Sequence, residues 1–138
     1  MLKTPIPLIA ALLLSGCAAT VADTPRLTEK QATALAKALD GKVPGKPVSC
    51  VPLNLSSGGG PTAISDDILI YRVNRNLVYR NDLNGRCSGI STGSTLVLQP
   101  MIGQYCRNDI AYVVDLQTGM RGPSCALGDF VPYRTPGK

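Results

Sequence analysis

The chain contains no histidine and no tryptophan. Without histidine, the commonest general base is missing, and so are Ser-His and Cys-His nucleophile pairs. Glutamate is absent from residues 48–138, since Glu29 lies upstream, and the only lysine there is Lys138 at the terminus. A Ser-Lys dyad or a Schiff-base lysine therefore has no residue to build on. The chain has no C-x₂₋₄-C pair: no two cysteines are closer in sequence than Cys87 and Cys106. Thiolate zinc sites use such pairs, commonly with histidine, so a metal site is not expected. Only six aromatics are present, five Tyr and one Phe, with no basic run. That excludes the stacking and charge pattern of nucleic-acid binders. Ser57-Gly58-Gly59-Gly60 is followed by no Gly-Lys-Ser/Thr, so it is a plain loop and not a phosphate cradle. No cofactor is implied.

The chain also lacks an apolar run long enough to span a bilayer, which takes about 20 residues. What it has is shorter. Lys3 precedes Ile6 to Leu14, an apolar run broken only by Pro7, and Leu14-Ser15-Gly16-Cys17 closes it. This arrangement is an export signal. Its ending resembles the lipobox of bacterial lipoproteins, in which the peptide is cut before the cysteine and the thiol carries the lipid (palmitate among its acyl chains). The resemblance implies a signal peptide over residues 1–16 and lipidation at Cys17. Ala18 follows the cysteine, where an Asp resembles an inner-membrane retention signal. Its absence implies an outer-membrane anchor facing the periplasm.

Once Cys17 is set aside, Cys50, Cys87, Cys106 and Cys125 remain. An even count in a small exported chain reads as two disulfides, with three possible pairings. The expected pairing is Cys87–Cys106, around the strand at Ser94–Leu98, with Cys50–Cys125 tying the first strand to the last segment. Each bridge stabilises by about 2–4 kcal/mol, mostly by restricting the unfolded chain. A domain this small needs them, because it buries only a modest core.

Residues 17–47 read as a lipid-anchored tether. Thr28-Glu29-Lys30-Gln31 matches a capping box and Gly41 suits a helix stop, so a helix of about three turns is expected over about 28–40. Gly41 to Pro47 is a linker by composition. Residues 48–138 form the domain. Val51, Leu53 and Leu55 alternate with Cys50, Pro52 and Asn54, and Pro52 places that strand at a sheet edge. Asp67–Val73 and Leu77–Arg80 read as a hairpin around Asn74-Arg75-Asn76, because Asn tolerates positive φ. Leu69, Tyr71 and Val73 share one face, which leaves Arg72 and Arg80 on the other. Asn81–Gly85 and Gln117-Thr118-Gly119 read as turns, Ser94–Leu98 and Asp109–Asp115 as strands, and Phe130–Tyr133 as an edge segment. The fold class is mainly β: a small antiparallel sandwich or partial barrel with two disulfides, preceded by a short N-terminal helix.

The sequence Pro47-Val48-Ser49-Cys50 is followed by Ser65-Asp66-Asp67-Ile68-Leu69-Ile70-Tyr71-Arg72. Arg86-Cys87-Ser88-Gly89, Gln104-Tyr105-Cys106-Arg107-Asn108-Asp109-Ile110 and Ser124-Cys125-Ala126-Leu127-Gly128-Asp129-Phe130 come next. From Pro47 to Tyr133 this pattern resembles a family of small exported Gram-negative proteins of uncharacterised function. Asn108 stands where many relatives carry Gly. The resemblance implies export and a four-Cys framework, and brings no catalytic residues.

The chain carries a net charge of +5. A basic surface suits anionic envelope components or another envelope protein. The candidate binding patch is Tyr71 with Arg72, Arg75, Arg80 and Arg107. Tyr79, Tyr105, Tyr112, Tyr133 and Phe130 supply the remaining aromatics, and strand tyrosines commonly fill a core with the hydroxyl at its rim. Among carboxylates, Asp66 and Asp67 are neighbours that would point to opposite faces of a strand. Asp109 and Asp115 bracket a strand. With Asp82 and Asp129 they are the material for a glycosidase-like acid pair. The leading expectation is a non-catalytic envelope lipoprotein with a structural or binding role. The alternatives are an inhibitor of a cell-wall hydrolase, of the lysozyme-inhibitor kind, and a carboxylate-based hydrolase. Lysozymes are usually basic, so a basic inhibitor would meet repulsion.

Overall fold

The computed structural model describes residues 26–52, 54, 60–100 and 103–138. The signal sequence, Cys17, Leu53, and the greater part of the Gly-rich loop lie outside them.

The helix α1 spans Glu29–Leu39. Thr28 Oγ1 accepts from the Gln31 N–H at 3.3 Å, and the Gln31 side chain accepts from the Thr28 N–H at 3.0 Å, closing the expected capping box. Past the end, Gly41 takes φ +65°, which only glycine adopts without strain.

Among the described residues ten strands follow: β1 Val43–Pro44, β2 Cys50–Pro52, β3 Thr62–Ala63, β4 Ile68–Arg72, β5 Leu77–Asp82, β6 Thr95–Leu98, β7 Gln104–Cys106, β8 Ile110–Val114, β9 Arg121–Ala126 and β10 Phe130–Arg134. They form a five-stranded sheet in the order β1-β10-β5-β4-β3, a ribbon β2-β7, and a three-stranded sheet β6-β8-β9, and every pairing is antiparallel.

The large sheet buries both faces. Leu69, Tyr71 and Phe130 meet Val51 of β2, Ala111 and Val113 of β8, Cys125, Leu127, Cys87 and Ile90 in the main core. On the other face, Ile68, Ile70 and Val78 meet Ala38 of the helix, with Ile64 and with Leu27, Leu35 and Leu39 at the margin. The thin leucine–alanine stripe of α1 thus has a partner. The expected boundary at residue 47 does not separate a tether from a domain among the described residues. The helix covers one face of the sheet, and Val43 and Pro44 pair with Arg134 and Tyr133.

The expected hairpin forms, with a different turn chemistry. Neither Asn74 nor Asn76 has positive φ. Asn74 Oδ1 instead accepts the N–H groups of Asn76 and Leu77 at 2.8 and 2.9 Å, an Asx-type turn. Positive φ falls on Asn108, at +71°, and on no other non-Gly residue among those described.

The disulfides are Cys50–Cys106 and Cys87–Cys125. The expected pairing of Cys87 with Cys106 and of Cys50 with Cys125 is corrected by strand register. Cys50 faces Cys106 across β2–β7, a pairing that depended on Gln104–Cys106 being a strand. Cys125 points inward from β9, a strand that Gly122-Pro123 hides from a local reading of the sequence. Proline is tolerated there because β9 is an edge strand. With sequence separations of 56 and 38, each bridge restricts the unfolded chain by about 4 kcal/mol.

Asn81, read from sequence as a turn residue, belongs to β5 and is fully buried. Its Nδ2–H donates to the Gly128 carbonyl at 2.8 Å, and the Gly128 N–H donates to Asn81 Oδ1 at 2.9 Å. Gly128 must be glycine, since a Cβ there would collide with the carbonyl oxygen of Asp82. Asn81→Ala strands two buried backbone groups and is expected to cost about 2–4 kcal/mol. Urea unfolding checks this; a loss below about 0.5 kcal/mol would show that the pair is incidental.

Candidate functional site

The proposed patch does not assemble as one surface. Tyr71 is 1 % exposed. Its ring packs on Phe130 edge-on at 5.4 Å between centroids and on Tyr105 at 5.8 Å. Tyr79 reaches Phe130 at 6.5 Å. These tyrosines supply core bulk, because alternation on β4 sends Tyr71 to the same side as Leu69. Unlike the expected rim hydroxyl, that of Tyr71 is buried. Among the described residues it is the only buried side-chain nitrogen or oxygen with no hydrogen-bond partner. Burial, with Tyr105 and Asp109 nearby, pushes its ionisation well above the ordinary tyrosine value.

Arg72 and Arg80 do share the face opposite Tyr71. Arg72 pairs in register with Val78, and Arg80 with Ile70. Arg80 is held by Asp82 at 2.9 Å. Arg107 is held by Asp129 at 3.4 Å, next to Phe130, which faces Asn81. Arg75 sits beyond the other end of β5, roughly 17 Å away along the strand. The structure therefore separates Arg107 from Arg75.

A different set gathers at the hairpin end of the large sheet. Arg134 faces Leu77 on one side and Val43 on the other, and the Thr135 N–H donates to the Asn76 carbonyl. This brings Lys42, Arg72, Arg75 and Arg134 to one edge. Among the described residues none of the four is in an ion pair with a carboxylate. Sequence reading missed Lys42 and Arg134 because β1 was hidden in a linker-like stretch and its pairing with β10 cannot be read locally.

The carboxylates are spoken for. Asp66 and Asp67 lie in the bend before β4 and not on a strand, so the expectation of opposite faces fails; both approach Arg86, at 3.5 and 4.0 Å. Asp66 Oδ1 also accepts from the Ser91 hydroxyl at 2.7 Å and the Ser91 N–H at 3.1 Å. Burial by itself would raise its pKa, but the Ser91 bonds, a backbone N–H of Gly89 and Arg86 outweigh it, so the carboxyl is held below its usual value of 3.8. Asp109 accepts the Cys106 N–H at 2.7 Å. Asp115 accepts the N–H groups of Gln117 and Thr118 and the Thr118 hydroxyl, which lower its pKa. Both strand-bracketing aspartates therefore close turns. Among the described residues, no three His, Cys, Asp or Glu side chains converge as a metal-binding group.

On the outer face of β6-β8-β9, Arg121 lies over the Tyr112 ring at 3.7 Å. No helix among the described residues is long and apolar enough to cross a membrane. No protein-family model, curated protein or solved structure matches the chain.

Two measurements test this geometry. Tyr71→Phe removes an unpaired buried hydroxyl and keeps the ring, so stability should rise by about 1 kcal/mol in urea unfolding; a loss of that size would mean that the hydroxyl is bonded. For Asp66 the depressed folded pKa makes its contribution complete above 3.8 and lost as pH falls through the lower folded value. Asp66→Asn should therefore be less stable than the parent by about 1–2 kcal/mol at pH 7, and the gap should close in strong acid. A gap independent of pH would contradict the assignment.

Proposed function

We propose that the chain is a non-catalytic, lipid-anchored protein of the Gram-negative cell envelope, of the exported family it resembles. It is held at the outer membrane through Cys17 and binds an anionic envelope component through the Lys42, Arg72, Arg75 and Arg134 end of its sheet. One observation carries the reading: a division of charge. Each of the six aspartates between 48 and 138 is engaged by an arginine or by backbone and hydroxyl donors, while among the described residues these four cations have no carboxylate partner. Carboxylates committed in this way are poorly placed for an acid pair, which needs two groups facing one substrate across a cleft. Cations not neutralised by a carboxylate add, at a sheet end, a field that attracts anionic headgroups or polymers.

One experiment has two arms. Metabolic labelling with a fatty-acid analogue should mark the parent protein and not Cys17→Ser, and the unlabelled form should leave the membrane fraction. A Ser variant that still labels and sediments contradicts the anchor. The lipid-free protein should then bind vesicles containing phosphatidylglycerol at low salt. Replacing Arg72, Arg75 and Arg134 by Gln should weaken that binding by about a hundredfold, at about 1 kcal/mol per cation. Unchanged binding would remove this end of the sheet from the reading.

A further inference from the structure

The two disulfides occupy opposite environments. Cys87 and Cys125 are 0 % and 5 % exposed and sit in the main core. Cys50 is exposed and Cys106 half-buried. Register explains the difference. Cys50 and Cys106 are direct partners across β2–β7, with Cα atoms 4.0 Å apart. Their neighbours Val51 and Tyr105, also paired, face the core. Alternation then places both cysteines on the outer face of the ribbon.

The ribbon is a layer over the core. Tyr105 lies on Tyr71, whose hydroxyl has no partner among the described residues, and the Val51 side chain on β2 is 2 % exposed. Backbone bonds tie the ribbon at one end. Val48 and Phe130 exchange N–H and carbonyl bonds at 2.9 Å, and the Asn108 N–H donates to the Leu127 carbonyl at 2.8 Å. Between its own strands, the ribbon has three residue pairs and the Cys50–Cys106 bridge.

We infer that Cys50–Cys106 is a thiol-exchange site, open to a dithiol reductant, and that it latches the β2–β7 ribbon over Tyr71. A thiolate of the dithiol attacks Sγ of Cys50, the more exposed residue of the pair. A mixed disulfide forms, the Cys50–Cys106 bond breaks, and the Cys106 thiolate leaves and takes a proton. The second thiol of the reductant, deprotonated, then attacks its own sulfur in the mixed disulfide. This releases Cys50 as a thiolate that takes a proton. The protein gains two electrons and two protons, and the dithiol becomes a cyclic disulfide. Cys87–Cys125 is shielded from the same attack, because exchange requires approach of the thiolate to a sulfur. Reduction thus frees the ribbon while the core stays stapled, and gives the Tyr71 hydroxyl access to water or a ligand.

Graded reduction tests this. The full-length oxidised chain is exposed to dithiothreitol under native conditions, alkylated at intervals, and mapped by mass spectrometry. Cys50 and Cys106 should become alkylated at least about tenfold faster than Cys87 and Cys125. Simultaneous opening of both bridges, or earlier opening of the buried one, overturns the proposal. The variant C50A/C106A separates a latch from a fold-wide staple. It should keep a cooperative unfolding transition and a reductant-resistant Cys87–Cys125 bridge, with faster amide exchange confined to β2 and β7. Loss of cooperative unfolding in this variant would overturn the latch.

Discussion

The side-chain amide of Asn81 does for this fold what a backbone ladder does elsewhere. It is fully buried; its oxygen accepts from the Gly128 N–H, and its nitrogen donates to the Gly128 carbonyl at 2.8 Å and to the Asp129 carbonyl at 3.4 Å. A buried amide left unpaired would destabilise the chain by about 1–3 kcal/mol for each group. The pair therefore specifies one position for the corner between β9 and β10. Around that corner the geometry follows in both directions. Two residues on, Phe130 enters the core; three residues back, Cys125 reaches Cys87. Asn84 and Ala126 bridge at the same place, and Asn84 Nδ2–H donates to the Leu127 carbonyl at 3.3 Å. Beyond the core, Leu127 also binds Asn108 and Asp109 through its backbone, so the three-stranded sheet and the ribbon are tied to the same corner.

A small domain with two separate apolar clusters depends on such fixed points. The main core joins the sheets, and the second, under α1, uses the other face of the same large sheet. Burying both faces of β4 gives this short chain more apolar contact than a sandwich alone would. The two cross-links then act on different parts of the molecule: one inside the main core, the other on the outer surface of a ribbon. Charge is arranged in a comparable way. Aspartates tie down turns and arginines, while Lys42, Arg72, Arg75 and Arg134, without a carboxylate among the described residues, gather at one end of the sheet.

Much of this was legible locally. The capping box of α1, the β4–β5 hairpin with its inward Leu69 and Tyr71, and the strand between Asp109 and Asp115 all follow from periodicity and turn chemistry within a few residues. Long-range partners were not. The disulfide pairing depends on β2 meeting β7, and neither three-residue strand shows a period long enough to read. Val43-Pro44 has linker composition and becomes a strand only because β10 is beside it. Asn81 sits in a run of turn formers, and its burial follows from Gly128 47 residues away. Tyr71 was placed on the correct face but offered as a surface group, because a tyrosine whose hydroxyl goes unpaired defies the usual expectation. The arginine set failed for the same reason: residues alike in sequence end up at opposite ends of β5.

If the Asn81–Gly128 pair is the point on which the layers depend, the Gly128 amide cannot open without the whole domain. Native-state hydrogen exchange measures this directly. The Gly128 N–H should exchange only through global unfolding, with an opening free energy equal to that from urea unfolding and the same denaturant dependence. Exchange through a smaller, denaturant-independent opening, while the amides of β4 and β5 remain protected, would contradict the account.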